Sequence, residues 1–393
     1  MSNLEIVKLN NDSQDDIIDA GDGTELESTD STESLIDKPF DPTLIKVETK
    51  IQSLDSLIKR IDRGSIQMNT ESYFQRRDDL WDRTKQSRLI ESILIRFPLP
   101  AFFFDASDDN KWLVVDGLQR LSSIRNFAVL KSLSLYKMEF LTRLNGSKWD
   151  ELTIDLQRSI EETQVVIHKI MPGTPTDVKF NIFKRINTGG LILESQEIRH
   201  ALFQGRPATF VLELAQTNEF KTATGNSISS IRMLDREFTT RFLSFYLLGV
   251  EKYGIKKYGK DIDTFMSKAM AEINSKSEIE LDSIKKAFQS AMKLANSIFQ
   301  DEAFRKITEG YKRKPPINKA LFDSISTQFA LLDTISSDIL LKNSEKFKKK
   351  LKQELSFNEE FFRSVSSGTG DKKKVNFRHN FIKKLIIETI SNK

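Results

Sequence analysis

Trp112-Leu113-Val114-Val115-Asp116-Gly117-Leu118-Gln119-Arg120-Leu121-Ser122-Ser123-Ile124 is the stretch around which the chain is organised. Leu113, Val114 and Val115 are a short apolar run of the kind that fills a buried strand. Asp116-Gly117 is a turn pair, and from about Leu118 the residues suit a helix. One strand-to-helix turn therefore gathers Asp116, Gly117, Gln119 and Arg120. Two readings of it are open. Free backbone N–H groups at a helix start favour an anion, Gly117 lets a ligand approach the backbone, and Arg120 adds a forked, permanently charged donor for phosphate. The other reading is a tight turn closed by a structural Asp116–Arg120 pair.

Upstream, Ala101 to Phe104 reads as a strand, and the polar run from 105 to 110 turns the chain into Trp112. Before it, 84–96 is an amphipathic helix. Leu89, Ile90, Ile93 and Leu94 share one face, Lys85, Arg88 and Glu91 lie elsewhere, and Phe97-Pro98-Leu99-Pro100 ends it. Tyr73-Phe74-Gln75-Arg76-Arg77-Asp78-Asp79-Leu80-Trp81 interleaves aromatic and basic residues, as a loop holding a base and a phosphate would; anchoring of the next helix by Trp81 is the plainer role for that ring. From Val47 on, Ile51, Leu54, Leu57, Ile58 and Ile61 recur at helical spacing, Gly64 is a stop, and 65–68 is a short strand.

Downstream, the β-branched run 165–170 is a further buried strand, in which His168 reads as a satisfied strand histidine. A helix with Val178, Ile182, Phe183 and Ile186 on its buried face follows and stops at Asn187-Thr188-Gly189-Gly190, whose glycines free backbone amides for a second anion contact. After about Gly225 the periodicity is helical throughout. The expected fold is α+β: a small mixed sheet with surrounding helices, then an all-helical C-terminal domain.

Composition narrows the chemistry. The chain has 393 residues, no cysteine and three histidines, so disulfides, thiolate zinc sites and Cys nucleophiles are excluded. His168, His200 and His379 lack a recognisable metal-ligand spacing, and neither a P-loop nor a Gly-x-Ser-x-Gly elbow is present. No run of about 18 apolar residues calls for a membrane span. The N-terminus has no secretory pattern, and a cytoplasmic location is the default expectation. The net charge of +4 conceals a division: residues 1–41 hold twelve Asp or Glu against two Lys, which leaves 42–393 net positive by 14. A basic body attracts nucleotides or nucleic acid, and its clusters at 346–352 and 371–374 could touch DNA, although a solvated helix face explains them more simply. The acidic segment is expected to be disordered, either as a solubilising tail or as a shield for a basic groove.

The blocks together resemble a known family. Asp116-Gly117-Leu118-Gln119-Arg120 is similar to the Asp-Gly-Gln-Gln-Arg signature of the GmrSD-type restriction-endonuclease N-terminal domain, itself distantly similar to the ParB/sulfiredoxin fold. Phe74-Gln75-Arg76 with Trp81, Ser87-Arg88-Leu89-Ile90-Glu91-Ser92-Ile93-Leu94 and Pro98-Leu99-Pro100 follow its earlier pattern. Phe183-Lys184-Arg185-Ile186-Asn187-Thr188-Gly189-Gly190 and Gln196-Glu197-Ile198-Arg199 follow its later one. The resemblance implies nucleotide binding and NTP hydrolysis coupled to DNA restriction or antiphage defence in prokaryotes. Carried over by position, Asp116, Gly117, Gln119 and Arg120 would form the nucleotide-hydrolysing motif, with Asp116, Gln119 and Arg120 catalytic and Gly117 binding the nucleotide. Gln75, Arg76, Asn187, Thr188, Gly189 and Gly190 would be supporting members of the nucleotide pocket. Residue type and turn position, independently of the resemblance, suit Arg120 to stabilising phosphate charge and Asp116 to holding Mg2+ or orienting water. Two departures stand out: Leu118 replaces the first Gln of the signature, and no His-Asn-His-type nuclease is legible after residue 205, which points to a separate nuclease partner. The expected organisation is an acidic tail at 1–45, a nucleotide-binding α+β domain at 46–225 and a basic helical domain at 226–393, with DNA as a possible partner of the last. The competing expectations are a DNA-binding regulatory module without catalysis and a ParB-like nuclease.

Overall fold

A computed structural model describes residues 24–25, 42–68, 81–186 and 194–391. The chain divides into two compact units. One comprises residues 38–193; the other comprises 194–393 together with 1–37.

The first unit is built on a five-stranded mixed sheet. Its strands are β1 (Val47–Ser53), β2 (Ile66–Gln67), β3 (Phe102–Asp105), β4 (Trp112–Asp116) and β5 (Gln164–Ile170), in the spatial order β1-β5-β3-β4-β2. β3 and β4 pair antiparallel, whereas β3 with β5 and β2 with β4 pair parallel. Alternation fixes the faces: Phe102 and Phe104, like Val165 and Ile167, point into one apolar core, and the residues between them are half-buried. The helices Leu54–Asp62, Arg83–Leu94 and Leu118–Ile124 close that core with Leu57, Ile90, Ile93, Leu121 and Ile124.

The helical spacing read from Val47 is correct only from Leu54. Residues 47–53 are extended because they pair antiparallel along the whole of β5, and Ile51 is left 70% exposed. On β5, His168 Nδ1 lies 2.7 Å from the Thr49 hydroxyl and its ring packs on Phe103, a satisfied strand position.

The second unit is all helical, as its periodicity predicts. The segment 194–225, grouped with the sheet in the sequence reading, belongs to it. Phe210, Val211, Leu214 and Phe220, from the helices Arg206–Gln216 and Asn218–Ala223, enter one core with Phe238, Phe242, Phe288 and Phe322. The expectation of a disordered acidic tail is corrected at two residues, since Thr24 and Glu25 are buried against this unit. No described helix is long and apolar enough to cross a membrane.

Candidate functional site

β4 ends at Asp116, and the helix Leu118–Ile124 begins one residue later, so Gly117 alone must reverse the chain. It does so at φ +96°, and its carbonyl accepts the first helical bond, from the Leu121 N–H. A β-carbon there would lie 2.5 Å from Cδ1 of Phe102 and 3.3 Å from Nη2 of Arg120. Both the backbone angle and the close approach of neighbours require glycine.

Arg120 is the hub of the turn. Its Nη2 donates to Asp116 Oδ2 at 2.9 Å and to the Ala101 carbonyl at 3.1 Å, its Nη1 donates to the Pro100 carbonyl, and the guanidinium lies 4.6 Å from the Phe102 ring centre. Burial pushes the guanidinium below its ordinary pKa, and the charge of Asp116 pushes it back. An arginine under these opposing influences stays charged. The carbonyls it grips are those of Pro100, the last residue of Pro98-Leu99-Pro100, and of Ala101 directly after it, so the end of that block orients Arg120. Sequence reasoning noted the block without seeing this role.

Gln119 turns the other way. Its Oε1 accepts the backbone N–H of Trp81 at 3.2 Å, and Gln86 Nε2 donates to the Trp81 carbonyl at 2.8 Å. Asp82 then caps the helix Arg83–Leu94 by accepting from the Lys85 N–H, so Trp81 anchors that helix. Leu118 packs against the apolar core. The one departure from the signature therefore falls on a side chain used for packing.

The turn thus brings together four of the predicted residues: Asp116, Gly117, Gln119 and Arg120. Gln75, Arg76, Asn187, Thr188, Gly189 and Gly190 lie outside the described residues. What brackets the first two is described. Met68 follows the β2 register that pairs Gln67 with Leu113, and Trp81 is held by Gln119, so both borders of 69–80 adjoin β4 and the turn it feeds.

At the other end of β3 lies a cluster that the sequence reading missed. Lys179, from the helix Thr176–Ile186, bonds Asp105 Oδ2 at 2.9 Å and the Ser107 hydroxyl. This ion pair, with both side chains largely buried, latches the helix to β3. Nothing local marks it, because Asp105 and Lys179 are 74 residues apart. The basic run 346–352 lies on the helix Ser344–Phe357. Phe347 and Leu351 are buried there, Lys348 pairs with Glu302 at 2.6 Å and Lys350 with Glu388 at 3.4 Å. Much of that run is an ion-paired helix face.

Residues 54–204 match the family described as GmrSD restriction endonuclease, N-terminal domain. This segment is a GmrSD-type N-terminal domain. The match begins with the helix Leu54–Asp62, contains the turn 116–120, and runs eleven residues past 193 into the helical unit. No curated protein and no solved structure matches the chain.

Proposed function

We propose that this chain is a nucleotide-binding, NTP-hydrolysing component of a prokaryotic restriction or antiphage system that acts with a separate nuclease. The observation that carries the reading is the turn itself, in which a half-buried, permanently charged arginine and a carboxylate are held 2.9 Å apart beside a positive-φ glycine, inside a GmrSD-type domain. Arg120 is held in place by two backbone carbonyls and by Asp116, and fixed charged donors of this kind are effective catalytic groups. Gln119 holds the Trp81 backbone N–H.

Asp116 is the carboxylate of the turn, and a site with one protein carboxylate fits Mg2+, which is usually held by one or two carboxylates together with substrate phosphates. Bound there, Mg2+ would neutralise phosphate charge.

The test is an NTP panel labelled at the γ-phosphate, with Mg2+, comparing wild type with Arg120→Lys and Asp116→Asn. Loss of one fixed charge-stabilising donor lowers turnover by roughly 100-fold or more, while circular dichroism shows the fold retained. Equal turnover in the folded variants would sink the reading. A second reading rests on the same contacts. Because Arg120 donates to two backbone carbonyls as well as to Asp116, the turn serves equally as a structural clamp, with the chain acting as a DNA-binding regulatory module through its basic helical unit. Salt-dependent DNA binding that nucleotide leaves unchanged would favour that module.

A further inference from the structure

Lys306 in the helical unit is a buried lysine whose counter-ion comes from the far end of the sequence. Its ammonium lies 2.5 Å from Glu25 Oε1 and donates to the Ser366 hydroxyl at 3.0 Å, and the two paired side chains are 3% and 9% exposed. Among the described residues Glu25 is the only carboxylate within ion-pair distance of it. The contact has the form of strand addition. Ile317, fully buried, is bridged antiparallel to Arg305 on one side and parallel to Thr24 on the other, and the Glu25 N–H donates to the Ile317 carbonyl at 2.9 Å. Asn318 completes the slot. Its Nδ2 donates to Glu25 Oε2 at 2.9 Å and to the Val365 carbonyl, while its Oδ1 caps the helix Lys319–Ala330 through the Leu321 N–H.

We propose that this slot is a docking site for an extended acidic peptide and that the chain's own Thr24–Glu25 segment is its exchangeable resident. Main-chain bonds to Ile317 give binding, and the pocket of Lys306 and Asn318 gives selectivity for a glutamate, the division of labour in peptide recognition by strand addition. Three observations favour this resident. It is the described part of a segment that is net negative by 10, attached to a body that is net positive by 14. Its side chain satisfies a buried ammonium that would otherwise be unpaired, which is costly in a low-dielectric interior. The loop it joins, 303–318, carries four further cationic residues, Arg305, Lys312, Arg313 and Lys314. A contact of two residues is weak between separate molecules. A tether raises its effective concentration to the order of millimolar, enough to fill the slot and still be displaced.

The test uses the full chain and a fluorescent peptide of residues 17–32. By anisotropy, the Glu25→Gln chain, whose own segment has lost the ion pair, binds the wild-type peptide at least roughly tenfold more tightly than the wild-type chain does. A peptide carrying Glu25→Gln loses that gain, and so does the chain combining Glu25→Gln with Lys306→Met. Hydrogen exchange on the wild-type chain provides a readout that needs no variant: the Glu25 amide is protected, but opens faster than the amides of 319–330. Equal peptide binding by both chains, binding by neither, indifference to the peptide's glutamate, or Glu25 exchange as slow as global unfolding would each overturn the proposal.

Discussion

Gly117 shows how much one residue carries. Its φ of +96° costs an L-residue about 1–2 kcal/mol, and a β-carbon 2.5 Å from the buried Phe102 ring adds an overpacking cost of about 1–3 kcal/mol. Gly117→Ala is therefore expected to destabilise the sheet unit by about 3 kcal/mol, read as a lower denaturation midpoint with an unchanged slope. Arg120 would lose its alignment at the same time, since its Nη2 is the third atom that the new carbon approaches. An unchanged midpoint would mean that the turn relaxes freely and that its geometry imposes nothing on Arg120. The identity of this turn was legible in sequence because its signals are local: an apolar run, a turn pair and a helix start within thirteen residues. Its wiring was not, because the acceptors of Arg120 are backbone carbonyls twenty and nineteen residues upstream, and a carbonyl has no sequence signature.

The same limit governs elements. The helix Arg83–Leu94 was legible from its apolar face, but Glu91 was read onto the polar side and is in fact 3% exposed. Its carboxylate accepts the backbone N–H groups of Glu139, Phe140 and Leu141 at 2.7–2.9 Å. Burial works to raise its pKa, yet the three N–H bonds outweigh it and hold the carboxyl below its ordinary range. Glu91 thus organises a stretch that lacks regular structure of its own, from a position that helical periodicity assigns to solvent. Glu91→Gln keeps the shape but replaces one acceptor oxygen with a donor facing N–H groups. Leaving a buried donor unsatisfied costs about 1–3 kcal/mol, so a loss of about 2 kcal/mol is expected, with faster hydrogen exchange confined to 139–141. Exchange unchanged there would show that the carboxylate does not hold the loop. The boundary at 193 is another element-scale surprise. The helices Ser195–Leu202 and Arg206–Gln216 read as continuing the sheet domain, because only the identity of their packing partners, in Phe238 and Phe242, assigns them to the other unit.

At the scale of the molecule, the helical unit contains a buried ionic knot that no local pattern announces. Asp323, with no exposure, receives Arg378 through Nε at 3.1 Å and Nη2 at 3.0 Å, and Arg241 Nη2 lies 3.4 Å from it. Arg241 also faces Glu237, and Arg378 reaches the Thr369 carbonyl. His379 packs on Phe245 with its Nε2 3.4 Å from Asp323. Burial works to raise the Asp323 pKa, but Arg378, His379 and Arg241 overcome it and hold the carboxyl well below the usual carboxylate range. For His379 burial dominates and pushes the pKa below 6.5 despite Asp323. Both folded values are depressed, so both groups contribute stability that is lost as the pH falls, in different windows. Asp323 begins to lose its contribution near the ordinary carboxylate value of 3.8, where the unfolded chain takes up a proton, and the loss continues further into acid. His379 begins to lose its own near pH 6.5, where the unfolded chain takes up a proton that the folded one refuses. With only three histidines in the chain, few groups titrate between pH 5 and 7, so this one should be visible. Stability is expected to decline from pH 7 to 5 with a slope approaching about 1.4 kcal/mol per pH unit for one proton. In His379→Gln the slope over that interval flattens, even where the absolute stability is lower. Denaturant melts of the two proteins at pH 5, 6 and 7 decide it: parallel pH profiles would assign the acid sensitivity to other groups and leave His379 as a packing residue beside Phe245.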